Sequence, residues 1–222
     1  MSESIIVYKA NNHLEASSCL SNLIIEDIKS ANKNCYSIGL SGGNTPKVTY
    51  SMLKNDIEDL SKILFWTVDE RWVPIDNENS NQNLINSFFS TSDAQILNVE
   101  FTNTSADEDA QAYSKKLQDS ISEFDTVILG VGEDGHIASL FPGTKAIQNK
   151  DDLYVSNEVN IVTQWRVTAT HKLLASAKNV YLLVTGENKK AILKTILDNG
   201  TTPANELIKN RKETILITDQ SI

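Results

Sequence analysis

The sequence predicts an α/β fold: an open, mostly parallel sheet with helices on both faces. Three observations carry that prediction. Short apolar runs alternate with longer stretches of helical periodicity, each run is bounded by Gly, Asn, Asp or Pro, and the strand-then-helix order repeats along the chain. The 222 residues, 40% of them apolar and 22% charged, suffice for a sizeable core. Four prolines and nine glycines are spread along the chain, with Gly42-Gly43 the one adjacent glycine pair, and nothing reads as a linker, an internal repeat or a low-complexity tract. A single domain over residues 1–222 is expected.

Residues 5–8 form the first strand. Asn12, with Glu15 three residues on, has the spacing of a capping box and starts a helix whose buried stripe is Leu20, Leu23, Ile24 and Ile28. Further strands are read at 35–40, 63–68, 125–129, 180–185 and 214–218. Helical patterns near 46–55, 81–89, 106–120, 171–177 and 187–198 fill the intervals.

Twenty Lys and Arg against 29 Asp and Glu leave a net charge of −9, which argues against nucleic-acid or membrane-surface binding. An anionic ligand would need a few specific cations. Cys19 and Cys35 form neither a disulfide framework nor a C-x-x-C pair and read as small core residues in a reduced compartment. The N-terminus has no basic segment followed by an apolar one, and no run approaches the ~18 apolar residues of a membrane span. A cytoplasmic location is expected.

Ligands of open α/β sheets sit beyond the carboxyl ends of the strands, so the segments after the strands matter most. After the second strand comes Ser41-Gly42-Gly43-Asn44-Thr45-Pro46, either an anion cradle of converging N–H groups or an ordinary strand-to-helix turn, with Thr45 suited to cap and Pro46 to the first helical position. After the third comes Asp69-Glu70-Arg71, where Arg71 either forks onto a phosphate, oriented by the carboxylates, or forms a surface ion pair. Ser80-Asn81 read as a helix cap. The Gly130-x-Gly132-x-x-Gly135 spacing resembles a dinucleotide fingerprint, but Glu133 and Asp134 would repel a pyrophosphate and Pro142-Gly143 interrupts the helix that motif needs. Among three histidines, His13 and His171 read as solvated. Only His136 follows a glycine-rich turn at a strand end, with Asp134 two residues before, a placement suited to a general base. Arg166-x-Thr168-x-Thr170 and Lys189 are the remaining cationic candidates. Asp134-x-His136 alone is two ligands short of a metal site.

Taken together, Ser41-Gly42-Gly43-x-Thr45-Pro46, Asp69-Glu70-Arg71-x-Val73-Pro74 and the long run from Leu129 to Gly143, with Asp134-Gly135-His136 and Ala138-Ser139-Leu140-Phe141-Pro142-Gly143 inside it, resemble the 6-phosphogluconolactonase family. Arg166-x-Thr168-x-Thr170 and Gly186-x-x-Lys189 extend the resemblance over nearly the whole chain. It implies a Rossmann-like fold and hydrolysis of 6-phospho-D-glucono-1,5-lactone to 6-phosphogluconate in the oxidative pentose phosphate pathway. It implies no metal or organic cofactor, and a small phosphorylated sugar lactone as the partner of a monomer or small homo-oligomer. His136 matches the general base, Asp134 its supporting carboxylate, and Ser41, Gly42, Gly43, Arg71, Arg166 and Lys189 the ligand-binding positions. Gly135 and Asp69 complete the candidate set, Asp69 either touching substrate or holding Arg71. Thr163-Gln164-Trp165 and Asn79 depart from the family pattern. Two alternatives stand beside this: a glucosamine-6-phosphate deaminase, which has Glu where Phe141 stands and usually Tyr where Arg71 stands, and a non-catalytic sugar-phosphate-binding module, whose signature would be loss of the base.

Overall fold

Two sheets build the structure, a computed structural model that describes residues 4–221; the outermost residues of the expected domain, Met1–Glu3 and Ile222, lie outside the described residues. Along the chain run β1 (Ser4–Lys9), α1 (His13–Ala31), β2 (Tyr36–Leu40), α2 (Lys47–Asp56), β3 (Ile63–Thr67), β4 (Asp69–Arg71) and α3 (Asn81–Phe89). Next come β5 (Gln95–Leu97), α4 (Ala106–Ser120), β6 (Thr126–Gly130), α5 (Lys145–Gln148), β7 (Tyr154–Ile161) and β8 (Thr163–Ala169). The chain closes with α6 (His171–Ser176), β9 (Asn179–Val184), α7 (Lys190–Leu197), α8 (Pro203–Lys209) and β10 (Glu213–Thr218). A 3₁₀ turn, Glu187–Lys189, precedes α7.

The larger sheet has the order β1-β10-β9-β6-β2-β3-β5, and its paired strands run parallel, as the alternation of strands and helices predicts. Successive residues point to opposite faces and divide between two cores. Leu64, Trp66, Val127, Leu129, Leu182 and Leu216 enter one, whereas Phe65, Ile128, Tyr181, Leu183 and Ile217 enter the other. Each such burial contributes about 1.5–3 kcal/mol. Gly39 is required by packing, because a Cβ there would lie 2.5 Å from the Trp66 ring. The Asn12–Glu15 cap on α1 forms as expected: Glu15 N–H donates to Asn12 Oδ1, and Asn12 Nδ2 donates back to Glu15 Oε1. Leu20 and Ile24 of its stripe are buried, while Leu23 and Ile28 are half-buried.

From β2 the chain order runs one way through β3 to β5 and the other way through β6, β9 and β10. The order reverses between β2 and β6, and the crevice beyond their carboxyl ends is where an open α/β sheet holds its ligand.

The second sheet, with antiparallel order β4-β8-β7, was not expected from the periodicity. β4 is three charged residues, and β7 mixes Ser, Asn and Glu with its apolar positions, so neither carries a clean alternation. Only Val68 separates β3 from β4; its N–H donates to Leu40 and its carbonyl accepts from Ala169. The small sheet therefore grows out of the carboxyl end of the large one.

Four smaller expectations change. Cys35 is exposed and Cys19 half-buried, so Cys35 is no core residue; it precedes β2 instead of entering it. His171 is buried, not solvated, and its Nε2 donates to the Pro203 carbonyl at the start of α8. His13 is half-buried against Thr185. Thr45 does not cap α2, which begins after Pro46 in helical backbone without a side-chain cap.

Candidate active site

A cavity of about 240 Å³ opens at the reversal point. Ser41, Gly42, Gly43 and Thr45 line it from the turn after β2, Asp69 and Arg71 from β4, and Asn81 from the start of α3. Gly130, Val131, Gly132, His136 and Ala138 follow β6, and Thr185 and Lys189 follow β9. A larger cleft of about 510 Å³ lies among α4, α5 and β7. It contains no histidine or arginine among the described residues and sits away from the strand ends, so the smaller cavity is the chemical candidate.

The loop after β6 is organised around His136. Its Nδ1 lies 2.6 Å from Asp134 Oδ1, which also accepts the His136 backbone N–H at 3.1 Å. Burial pushes the Asp134 carboxyl up, but the hydrogen bonds from the His136 backbone and ring outweigh it and hold its pKa below the ordinary value. Asp134 is therefore ionised at neutral pH and accepts a hydrogen bond from Nδ1–H, which leaves the lone pair of a neutral imidazole on Nε2. Phe141 stacks on the imidazole, with ring centroids 4.1 Å apart and planes 28° from parallel. Gly132 permits the arrangement: a Cβ there would stand 2.1 Å from His136 Nδ1. No long helix follows this loop, so the glycine spacing is not a dinucleotide fingerprint. Gly135 does not line the cavity; at φ +82° it packs on Thr202, which a Cβ would approach to 2.4 Å.

Ser41 is buried, and its hydroxyl donates to the Ile128 carbonyl, tying β2 to β6 across the reversal. Gly42 lies against the Asn81 amide, because a Cβ would fall 1.8 Å from Asn81 Oδ1. Asn81 Nδ2 in turn donates to the Asp69 carbonyl at 2.8 Å. Gly43, at φ +88°, opens onto free space.

The carboxylates of Asp69-Glu70-Arg71 do not orient the arginine as expected. Glu70 is buried and turns to the N-terminus of α3, accepting from the N–H groups of Arg71, Asn81 and Gln82 and from the Ser80 hydroxyl. Burial pushes its pKa up to about 7 against the pull of these donors. Both lone pairs of each oxygen are used, so an added proton must displace an N–H contact or turn the Ser80 hydroxyl from donor to acceptor. Asp69 accepts from the Ser139 hydroxyl at 2.6 Å. Arg71 is held by the Asn79 carbonyl instead, through Nη1 at 2.6 Å.

Arg166 lies within β8, not after a strand, and is the cross-strand partner of Arg71. It does not line the cavity itself; its Nη2 donates to the Ile161 carbonyl at 2.6 Å. Burial, and then the neighbouring Arg71 charge, lowers its pKa. No carboxylate reaches ion-pair distance of either guanidinium among the described residues. Both Nε groups are buried without a partner. Like charges facing each other across a strand pair disfavour the fold, and an anion nearby relieves them. Lys189 is half-buried on a turn fixed by Gly186 at φ +102°, whose N–H donates to Asp219, and by Asn188 donating to Glu133.

Sequence reasoning treated Asn81 only as a helix cap and assigned no role to Ser139 or Thr185. For Asn81 the only signal was its position after Ser80, since its contacts to Gly42 and Asp69 join distant segments. Among the described residues, no group of three or more His, Cys, Asp or Glu side chains is placed to hold a metal ion. No helix among them is long and apolar enough to cross a membrane.

Comparison with known proteins agrees with this architecture. A model of the family described as "Glucosamine-6-phosphate isomerases/6-phosphogluconolactonase" matches residues 12–216, and the chain belongs to that family. The 6-phosphogluconolactonase of Synechocystis is 35% identical over 198 residues, 82% of this chain and 81% of that one. That of Chlamydia pneumoniae is 36% identical over 172 residues, 74% of this chain and 66% of its own. The solved 6-phosphogluconolactonase of Trypanosoma brucei superposes with a TM-score of 0.89 at 26% identity, covering 98% of this chain and 97% of that one. A monomeric glucosamine-6-phosphate deaminase superposes with a TM-score of 0.84 at 22% identity, so the fold alone does not choose between the two chemistries.

Proposed function

We propose that this chain hydrolyses 6-phospho-D-glucono-1,5-lactone to 6-phosphogluconate, as a step of the oxidative pentose phosphate pathway, with His136 as general base. The observation that carries this reading is the Asp134–His136 pair in a cavity also lined by Arg71 and Lys189. A lactone is an activated ester, so its hydrolysis needs an activated water and a stabilised oxyanion but no covalent enzyme nucleophile. His136 Nε2 takes a proton from water as the water oxygen bonds to C1. Asp134 stabilises the imidazolium that forms, and the carbonyl π electrons move onto the exocyclic oxygen, where Arg71 or the N–H groups of the glycine loop offset the charge. Collapse of the tetrahedral intermediate breaks the bond from C1 to the ring oxygen, which receives the proton from His136. Arg71, Arg166 and Lys189 supply positive charge for the phosphate, whose binding energy holds the ring against the base. We take residues 1–222 as one domain for this purpose, since the cavity draws on both sheets.

Turnover of freshly generated lactone, with spontaneous hydrolysis subtracted, tests the reading; no rate above background would sink it. A deaminase must also open a ring and move protons between carbons, which calls for a further acid. At the position where that relative has Glu stands Phe141, which transfers no proton and covers the imidazole face. Glucosamine 6-phosphate should therefore release no ammonia above background.

A further inference from the structure

Ser139 stands three residues beyond His136 and takes no part in the steps above. It is buried at 1% exposure, yet every polar group it has is engaged. Its hydroxyl donates to Asp69 Oδ2 at 2.6 Å, its N–H to Thr168 Oγ1 at 3.1 Å, and its carbonyl accepts from Asn157 Nδ2 at 2.8 Å. Asp69, Thr168 and Asn157 lie on β4, β8 and β7, the three strands of the small sheet. One residue thus joins the loop that carries the histidine to every strand of the sheet that carries the arginines. The preceding Ala138 is held at φ +51°, a backbone state that residues with a side chain seldom adopt, so the loop enters this position against its local preference.

Asp69 lines the cavity while Ser139 occupies one of its two carboxylate oxygens. We propose that Ser139 is a positioning residue for lactone hydrolysis: its hydroxyl pins Asp69 Oδ2 so that Oδ1 is presented to a hydroxyl of the sugar ring, in fixed register with His136. The inference rests on the lactonase reading of the same cavity and adds a residue to it. Because the guanidinium groups are held by the Asn79 and Ile161 carbonyls, loss of the Ser139 hydroxyl should leave phosphate binding in place and misorient the ring.

The test is a double-mutant cycle on kcat and KM with Ser139→Ala, Asp69→Ala and the pair. Ser139→Ala keeps both backbone bonds, so the loop stays docked. A hydrogen bond to a charged group is being removed, and kcat should fall by about tenfold or more while KM for the phosphorylated lactone changes less than about twofold. The loss should be similar on unphosphorylated gluconolactone, and the double variant should be no slower than Asp69→Ala alone. A merely structural role would instead raise KM along with lowering kcat and multiply the two losses. Should Ser139→Ala not fold, Ser139→Cys keeps the size with a weaker donor and should fall between wild type and Asp69→Ala. Wild-type kcat in the Ser139 variants, or multiplicative losses in the pair, would overturn the proposal while the wild type remains an active lactonase. An inactive wild type is a different outcome and overturns the functional reading on which the proposal rests.

Discussion

In the loop after β6, the groups that surround His136 are its neighbours in sequence: Asp134 two residues before and Phe141 five residues after. Around Arg71 the reverse holds. Its cross-strand partner Arg166 lies in a hairpin far along the chain, and its nearest carboxylates, Asp69 and Glu70, are bonded elsewhere. The Asp134–His136 pair is therefore assembled by short-range turn geometry, with Gly132 giving room for the ring, whereas the arginine pair is assembled by strand pairing. Charge compensation differs accordingly. The histidine has a carboxylate beside it, whereas the two arginines face each other with carbonyl partners only.

His136→Ala should have the greatest consequence. General-base loss should lower kcat by about 10²–10⁴-fold on every lactone while the folded protein still binds 6-phosphogluconate. Wild-type kcat, corrected for spontaneous hydrolysis, would remove His136 from the chemistry.

Glu70→Gln separates structure from charge. With the amide NH₂ at the Oε2 position the Ser80 hydroxyl can turn to accept, but the Gln82 N–H is left facing a donor, which should destabilise the fold by about 1–3 kcal/mol. Urea unfolding measures it; an unchanged midpoint would mean that Glu70 does not anchor the helix.

The cationic wall should fail in binding instead of chemistry. Lys189→Ala and Arg166→Ala should each raise KM for the phosphorylated lactone by roughly 10–150-fold and change activity on unphosphorylated gluconolactone little. Equal losses on both substrates would point to general damage, and no loss on either would exclude a phosphate role. Arg166 is the sharper case, because it is the cross-strand partner of Arg71 but does not itself line the cavity.

The smallest effect concerns pH. Asp134 has a folded pKa below its ordinary value, so its contribution to stability is present above the unfolded value, roughly 3.9, and is lost as pH falls through the lower folded value. Asp134→Asn should be slightly less stable than wild type at neutral pH, with the gap closing on acidification. A gap that widens towards low pH would reverse the assignment of charge on this pair.

What is legible in the sequence follows from range. The parallel strands of the large sheet are apolar runs whose burial is written in their composition, and the capping box of α1, the Asp134–His136 pair and the helix-free glycine loop all depend on residues a few positions apart. These are legible because local backbone geometry and hydrophobic periodicity act over single turns and strands. Pairing between distant segments sends the Asp69, Glu70 and Arg71 side chains to three different partners, sets Arg166 in a strand facing Arg71, and buries His171 on Pro203. A charged tripeptide carries no periodicity to announce itself as a strand. Its partners are fixed by which distant segments the β2–β6 reversal and the β7–β8 hairpin bring together, a property of pairing across the chain that no local pattern encodes.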